Sequence, residues 1–253
     1  MNVARVPSPT VAVREFQYDP DALCPPELSN DEIHVWQQSL NWGFGVIQGF
    51  REVLSPDELA RAGRYRFDED RKEYILARGT LRMLLASYAR VPAKELRFSY
   101  SEFGRPKLLS ETRADAVDFN VTHSGDMALF AFARGRRIGI DVEKVRRDLA
   151  TSEIAERFFS TAERGALREL PLEQRHDAFF RCWTRKEAFI KALGEGLSHP
   201  LDQFDVSLDP GVSPALLATR PDAEDVKRWT LWNITVPSGY AAALAAESNC
   251  TSV

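Results

Sequence analysis

Cysteine is scarce in this chain: Cys24, Cys182 and Cys250 are odd in number and far apart. Such spacing makes neither a disulfide framework nor a zinc-ligand pattern, and it suits a reducing compartment, so a cytoplasmic location is expected. No apolar run reaches 18 residues, so no segment is expected to cross a membrane. Residues 1–30 have no apolar signal-peptide core. A basic excess is also missing. Lys and Arg number 33 against 37 Asp and Glu, for a formal charge of -4 and a pI of about 5.7, so nucleic acid is not an expected partner. There is no solenoid-type repeat, no alternation of βαβ units and no dinucleotide fingerprint around Gly139, which argues against a Rossmann sheet. No Gly-x-Ser-x-Gly elbow is present, which disfavours a serine hydrolase.

What is there is an ordinary globular composition, with 44% hydrophobic and 28% charged residues in 253. Residues 1–30 carry Pro7, Pro9, Pro20, Pro25 and Pro26 and read as an extended arm, partly packed through Phe16 and Tyr18. Strands are expected at 33–40, 96–100, 117–122, 127–133, 138–142, 204–208, 230–236 and 240–245, and 44–47 reads as loop or short strand. Ser55-Pro56-Asp57-Glu58 is a helix start, with a serine cap, proline at the first position and acids in the first turn. That helix should reach about Tyr65. A longer one over 70–89 repeats Tyr74, Ala77, Leu81, Leu84, Leu85 and Tyr88 at spacings of three and four. Further helices are expected at 152–158, 161–167 and 172–193, with 210–226 a looser connection. The order implies an α+β fold in two halves, 31–135 and 136–253, joined near Gly135–Arg137 behind the 1–30 arm.

Four stretches could carry chemistry. In Ile138-Gly139-Ile140-Asp141-Val142-Glu143, residues two apart share a strand face, so Asp141 and Glu143 present two carboxylates about 6.6–6.8 Å apart. A hard cation such as magnesium would hold them together, and a solvent-facing acidic strand end is the plain alternative. Phe119-Asn120-Val121-Thr122-His123-Ser124-Gly125 gathers hydroxyls and an imidazole that suit a phosphate, or simply a self-capped turn. Gly104-Arg105-Pro106-Lys107 is a rigid cationic turn, or an ordinary exposed one. On 179–193, Lys186, Glu187 and Lys191 stand beside Phe179, Phe180, Trp183, Phe189 and Ile190. Glu187 and Lys191 are four apart and share a face, either as part of a phosphate site or as one surface salt bridge. Seven basic residues between Arg61 and Arg82 make a local excess suited to a small polyanion.

Taken together and in this order, these motifs resemble the Sfp (surfactin-synthetase-activating) type of 4′-phosphopantetheinyl transferase, over about residues 32–246. The pairing of Gly139-Ile140-Asp141-Val142-Glu143 with Trp183-Thr184-Arg185-Lys186-Glu187 and Lys191 is its most specific part. The resemblance implies two similar α+β halves related by a pseudo-twofold axis, with coenzyme A in the cleft. It implies magnesium-dependent transfer of the phosphopantetheine arm to a serine of an apo carrier protein, with release of adenosine 3′,5′-bisphosphate, by a monomer. By position, Asp141, Glu143 and Glu187 match the magnesium ligands, and Glu187 also matches a proposed general base. Lys186 and Lys191 match residues that hold the pyrophosphate, and His123 matches a phosphate-binding histidine. Thr122 stands where many relatives have serine. Arg61 matches a residue that binds the ribose 3′-phosphate, and Gly104, Arg105 and Pro106 match a Gly-Lys-Pro loop near the adenine and that phosphate. Arg185 departs from the pattern. Two other functions share these residues: a coenzyme A or carrier-binding module without catalysis, and a metal-dependent phosphohydrolase.

Overall fold

A computed structural model describes residues 8–19, 27–109, 117–149, 151–196 and 199–248. Eleven strands and six helices are placed among them. Strands β1 (Thr10–Glu15), β2 (Glu32–Ser39), β5 (Val117–Ser124) and β6 (Met127–Arg134) form one sheet in the order β1-β2-β6-β5. Strands β7 (Ile138–Lys144), β10 (Trp229–Asn233) and β11 (Tyr240–Glu247) form another, ordered β10-β11-β7. Two short hairpins complete the set, β3 (Arg97–Tyr100) with β4 (Pro106–Leu109), and β8 (Phe204–Val206) with β9 (Leu216–Thr219). The helices are α1 (Phe44–Val53), α2 (Pro56–Ala62), α3 (Asp68–Ala89), α4 (Thr151–Phe158), α5 (Thr161–Glu169) and α6 (Leu172–Leu193).

Alternation along the strands sorts the apolar side chains into three cores. Trp36, Phe130 and Phe132 on one face of the first sheet pack with Leu76, Leu84 and Tyr88 of α3. Leu231, Ala243 and Ala245 on one face of the second pack with Phe189 and Ala192 of α6. The opposite faces of the two sheets meet each other, Val35, Leu129 and Ala131 against Ile138, Ile140 and Leu244. The layers therefore run α3, first sheet, second sheet, α6, as burial of two-faced sheets requires.

The mixed α+β class expected from the sequence is what the structure has. Several elements differ from expectation. The expected arm includes β1, which pairs parallel with β2, and Phe16 is buried beyond it; residues 1–7 and 20–26 of that arm lie outside the described residues. Residues 44–53 form helix α1, not a loop or strand. Its Gly45 and Gly49 mask the helical pattern of Ile47 and Phe50, and Gly49 is needed because a Cβ there would stand 1.8 Å from the Tyr18 hydroxyl. The capped start at Ser55 holds: its N–H donates to Glu58 at 2.9 Å, with Pro56 at the first position. Glu58 then receives Arg78 at 2.5 Å and Arg82 at 2.6 Å, so these two arginines tie α2 to α3. The looser connection at 210–226 contains β9 and the start of a 3₁₀ turn over Ala223–Arg228.

Candidate active site

The site begins at a missing side chain. A Cβ on Gly139 would lie 2.1 Å from the Ala188 carbonyl oxygen and 2.3 Å from the Ala192 nitrogen, so α6 rests directly on the backbone of β7. On that face β7 presents Asp141 and Glu143, while Ile140 and Val142 turn into the core between the sheets. The close crossing brings the Lys191 ammonium to 2.6 Å from Asp141 Oδ1. Thr122 of β5 donates to the same oxygen at 3.1 Å and accepts from Lys191 at 3.2 Å. Ser124 donates to Glu143 at 2.9 Å.

β5 and β7 are edge strands of separate sheets, and no backbone ladder joins them. Side chains do so instead. Asp118, Asn120, Thr122 and Ser124 of β5 accept from the N–H groups of Ile138, Ile140, Val142 and Lys144 at 3.3, 2.8, 3.4 and 3.0 Å. Every second residue of one strand thus satisfies an otherwise unpaired N–H of the other, which stitches the halves together beside the carboxylates. Sequence reasoning did not single out Asp118 or Asn120 for this work. The signal was present as four hydrogen-bonding side chains at period two in a strand whose other residues are mostly apolar.

The electrostatics are those of crowded anions. Burial pushes Asp141 up to about 6, with Lys191 opposing and Glu143 adding to the rise. Glu187 is pushed up to about 7, first by burial and then by repulsion from Asp141. Three carboxylates therefore feel one another across the β7–α6 crossing, balanced by the single ammonium of Lys191. Among the described residues no group of three or more His, Cys, Asp or Glu side chains stands ready-made to hold a metal. The donor chemistry nevertheless fits a hard divalent cation: all donors are oxygens, they repel one another, and Asp141 Oδ2 is buried without a hydrogen-bond partner.

His123 projects from the opposite face of β5 to Thr122. With Tyr65, Tyr74, Arg78, Pro106 and Val121 it lines a cavity of about 260 Å³ beneath α3. Arg61, exposed on α2, lies over the ring of Tyr74, one of the lining residues, at 5.5 Å from its centroid. Gly104 has a φ of +78°, which lets the turn before Pro106 close with its N–H on the Ser101 carbonyl at 2.9 Å.

Two expected ligand residues are placed elsewhere, and one unassigned residue finds a place. Lys186 is fully buried. Its ammonium pairs with Glu163 at 2.8 Å and donates to the carbonyls of Leu201 and Phe204 at 2.6 and 2.7 Å, which uses all three N–H bonds. The resemblance implies a phosphate clamp at 186, whereas here the Lys186 side chain turns toward α5 and β8 and not toward Asp141. Arg105 is likewise turned inward, onto Asp118 at 3.0 Å, not into the cavity that Pro106 lines. Arg185, also buried, bonds Ser207 Oγ at 3.1 Å and Asn233 at 3.0 Å, and burial lowers it to about 10. Glu163, missed in the sequence, receives Lys186, Ser160 N–H and Val206 N–H and so anchors α6 from behind.

Residues 137–245 match a family model described as the 4′-phosphopantetheinyl transferase superfamily, and residues 46–134 match one described as 4′-phosphopantetheinyl transferase, N-terminal. The 4′-phosphopantetheinyl transferase HetI of Nostoc sp. is 37% identical over 223 residues, covering 87% of this chain and 91% of that protein. The 4′-phosphopantetheinyl transferase Sfp of Bacillus subtilis is 32% identical over 202 residues, covering 70% and 88%. A Thermotoga maritima holo-[acyl-carrier-protein] synthase structure superposes on 44% of this chain and 61% of its own, at 27% identity and a TM-score of 0.35.

Proposed function

The chain belongs to the 4′-phosphopantetheinyl transferase family, enzymes that use coenzyme A to modify carrier proteins, and from that premise we propose that the β7–α6 crossing is where the transfer occurs. The observation that carries this is the close crossing of α6 over Gly139, which sets the Lys191 ammonium on Asp141 and Thr122 and brings Glu187 within electrostatic reach of Asp141 and Glu143.

The acceptor is a serine of an apo carrier protein. Its oxygen forms a bond to the β-phosphorus of coenzyme A. The bond from that phosphorus to the bridging oxygen breaks, and adenosine 3′,5′-bisphosphate leaves with the electron pair. Glu187 takes the serine proton. Before a cation binds, burial and the neighbouring Asp141 raise its carboxyl to about 7, which marks it as a proton-avid acid of the site. Lys191, held by Asp141 and Thr122, offers its ammonium to the phosphate oxygens on which charge builds. His123, Arg61 and Pro106 receive the nucleotide end in the cavity under α3. Magnesium, held by Asp141, Glu143 and Glu187, would supply charge neutralisation for the pyrophosphate.

Among the described residues no helix is long and apolar enough to cross a membrane, and neither nucleic acid nor membrane has a place in this reading. The protein is expected to act as a monomer. Incubation with coenzyme A, magnesium and a panel of apo fatty-acid, polyketide and peptidyl carriers should add the arm's mass to at least one carrier. No gain on any of them refutes the reading, and phosphate release without a carrier would favour a hydrolase instead.

A further inference from the structure

Arg105 has the richest set of polar contacts of any side chain near the crossing. Its Nη2 lies 3.0 Å from both carboxylate oxygens of Asp118, 3.0 Å from the Ile138 carbonyl and 3.3 Å from that of Phe119. Its Nη1 donates to the carbonyls of Lys191 at 2.5 Å and Ala192 at 3.4 Å. One planar guanidinium therefore joins four elements: the β3–β4 turn that carries it, β5, the start of β7, and the last turn of α6.

The two α6 carbonyls are among the four that a helix C-terminus leaves without an internal partner. A cation at that end also meets the negative pole of the helix. Gly194 follows in the left-handed conformation at φ +81° and lets the chain turn away without displacing the guanidinium. The turn holds the other end of Arg105: its N–H donates to Ser101 Oγ at 3.1 Å, and its carbonyl accepts from Ser101 N–H at 2.9 Å. A lysine ammonium could satisfy part of this set. It could not hold a carboxylate and carbonyls on two other elements in one plane.

We propose that Arg105 is a positioning residue for Lys191, fixing the backbone from which the Lys191 ammonium reaches Asp141, and is not a ligand of the nucleotide. This deepens the transferase reading and rests on it. It differs from what the Gly-Lys-Pro resemblance implies for this position, and the reason is geometric. With its side chain one-tenth exposed, Arg105 has both terminal nitrogens engaged by Asp118 and the four carbonyls, and its Nε buried without a partner.

The test is steady-state kinetics of Arg105→Lys with coenzyme A and with 3′-dephospho-coenzyme A. A displaced Lys191 should lower kcat by about tenfold to a hundredfold while KM for coenzyme A stays within about threefold. The preference for coenzyme A over its dephospho form should not change. In a Lys191→Met background the same substitution should cost little more, since both act through one ammonium. Asp118→Asn, which keeps the arginine and weakens its anchor, should show the same pattern to a smaller degree and covers the case in which Arg105→Lys does not fold. A raised KM with collapse of the preference would show that Arg105 binds the 3′-phosphate. A full additional loss in the Lys191→Met background, or an unchanged kcat with only a lower melting temperature, would also overturn the proposal. A wild-type protein that modifies no carrier would instead refute the transferase reading.

Discussion

Glu187 and Asp141 are both acids held above their ordinary range, from 4.5 to about 7 and from 3.8 to about 6. Between the unfolded and folded values the native chain holds more protons than the unfolded one, so its stability falls as pH rises through roughly 4 to 7. A cation that binds the ionised set must displace those protons at the acidic end. Magnesium affinity should therefore tighten on the order of tenfold between pH 6 and pH 8. Titration calorimetry in two buffers should also find proton release at pH 6 that disappears at pH 8; equal affinity at both would remove these carboxylates as the ligand set. Glu187→Gln should cut transfer by about a hundredfold to ten-thousandfold, the range for a lost proton acceptor. Its melting temperature should hold or rise, because a neutral amide relieves the buried repulsion. Retained transfer would assign the serine proton to another acceptor.

Among elements, the contact of β7 with α6 decides the site. Gly139→Ala would set a methyl against the Ala188 carbonyl and the Ala192 nitrogen, both backbone atoms that cannot rotate away. Overpacking of this kind costs about 1–3 kcal/mol. It should also lift Glu187 and Lys191 from Asp141, so a denaturant melt and the transfer assay should fall together. Activity that survives with lowered stability would show that the crossing tolerates separation. The buried Lys186–Glu163 pair makes an opposite kind of prediction. Lys186→Met leaves Glu163 charged and enclosed, and breaking a buried pair in this way costs about 3–5 kcal/mol. At a temperature where the variant is still folded, KM for coenzyme A should be near that of the wild type; a large rise would return Lys186 to the phosphate site.

Across the whole molecule, the layer between the sheets belongs to neither half alone. Val35, Leu129 and Ala131 have their apolar partners in Ile138, Ile140 and Leu244. The four N–H groups at the edge of β7 have theirs on β5. Severed halves would expose both the apolar faces and the orphaned N–H groups. Calorimetry of the intact chain should therefore show one unfolding transition, and neither half expressed by itself should give a cooperative melt. Two resolved transitions would mean that the halves are held together more loosely than this shared core implies.

Periodicity and caps were enough to foresee most elements, because they depend on neighbours along the chain: the Ser55-Pro56 start, the long α3 and α6, and the strand face that pairs Asp141 with Glu143. Their order was enough for an α+β fold, and the linked motifs pointed to the transfer chemistry. Helix α1 escaped because its Gly49 answers to Tyr18, a residue of another segment, and not to helix propensity. The fates of Lys186 and Arg105 escaped for the same kind of reason. A charge next to a motif reads alike whether it faces a ligand or a buried carboxylate. Only the packing of α6 against α5 and β8, and of the β3–β4 turn against the end of α6, settles which partner each cation meets. Local pattern determined which groups the chain could offer, and tertiary contact decided which of them remained free to act, because a hydrogen bond spent inside the fold is one the substrate cannot use.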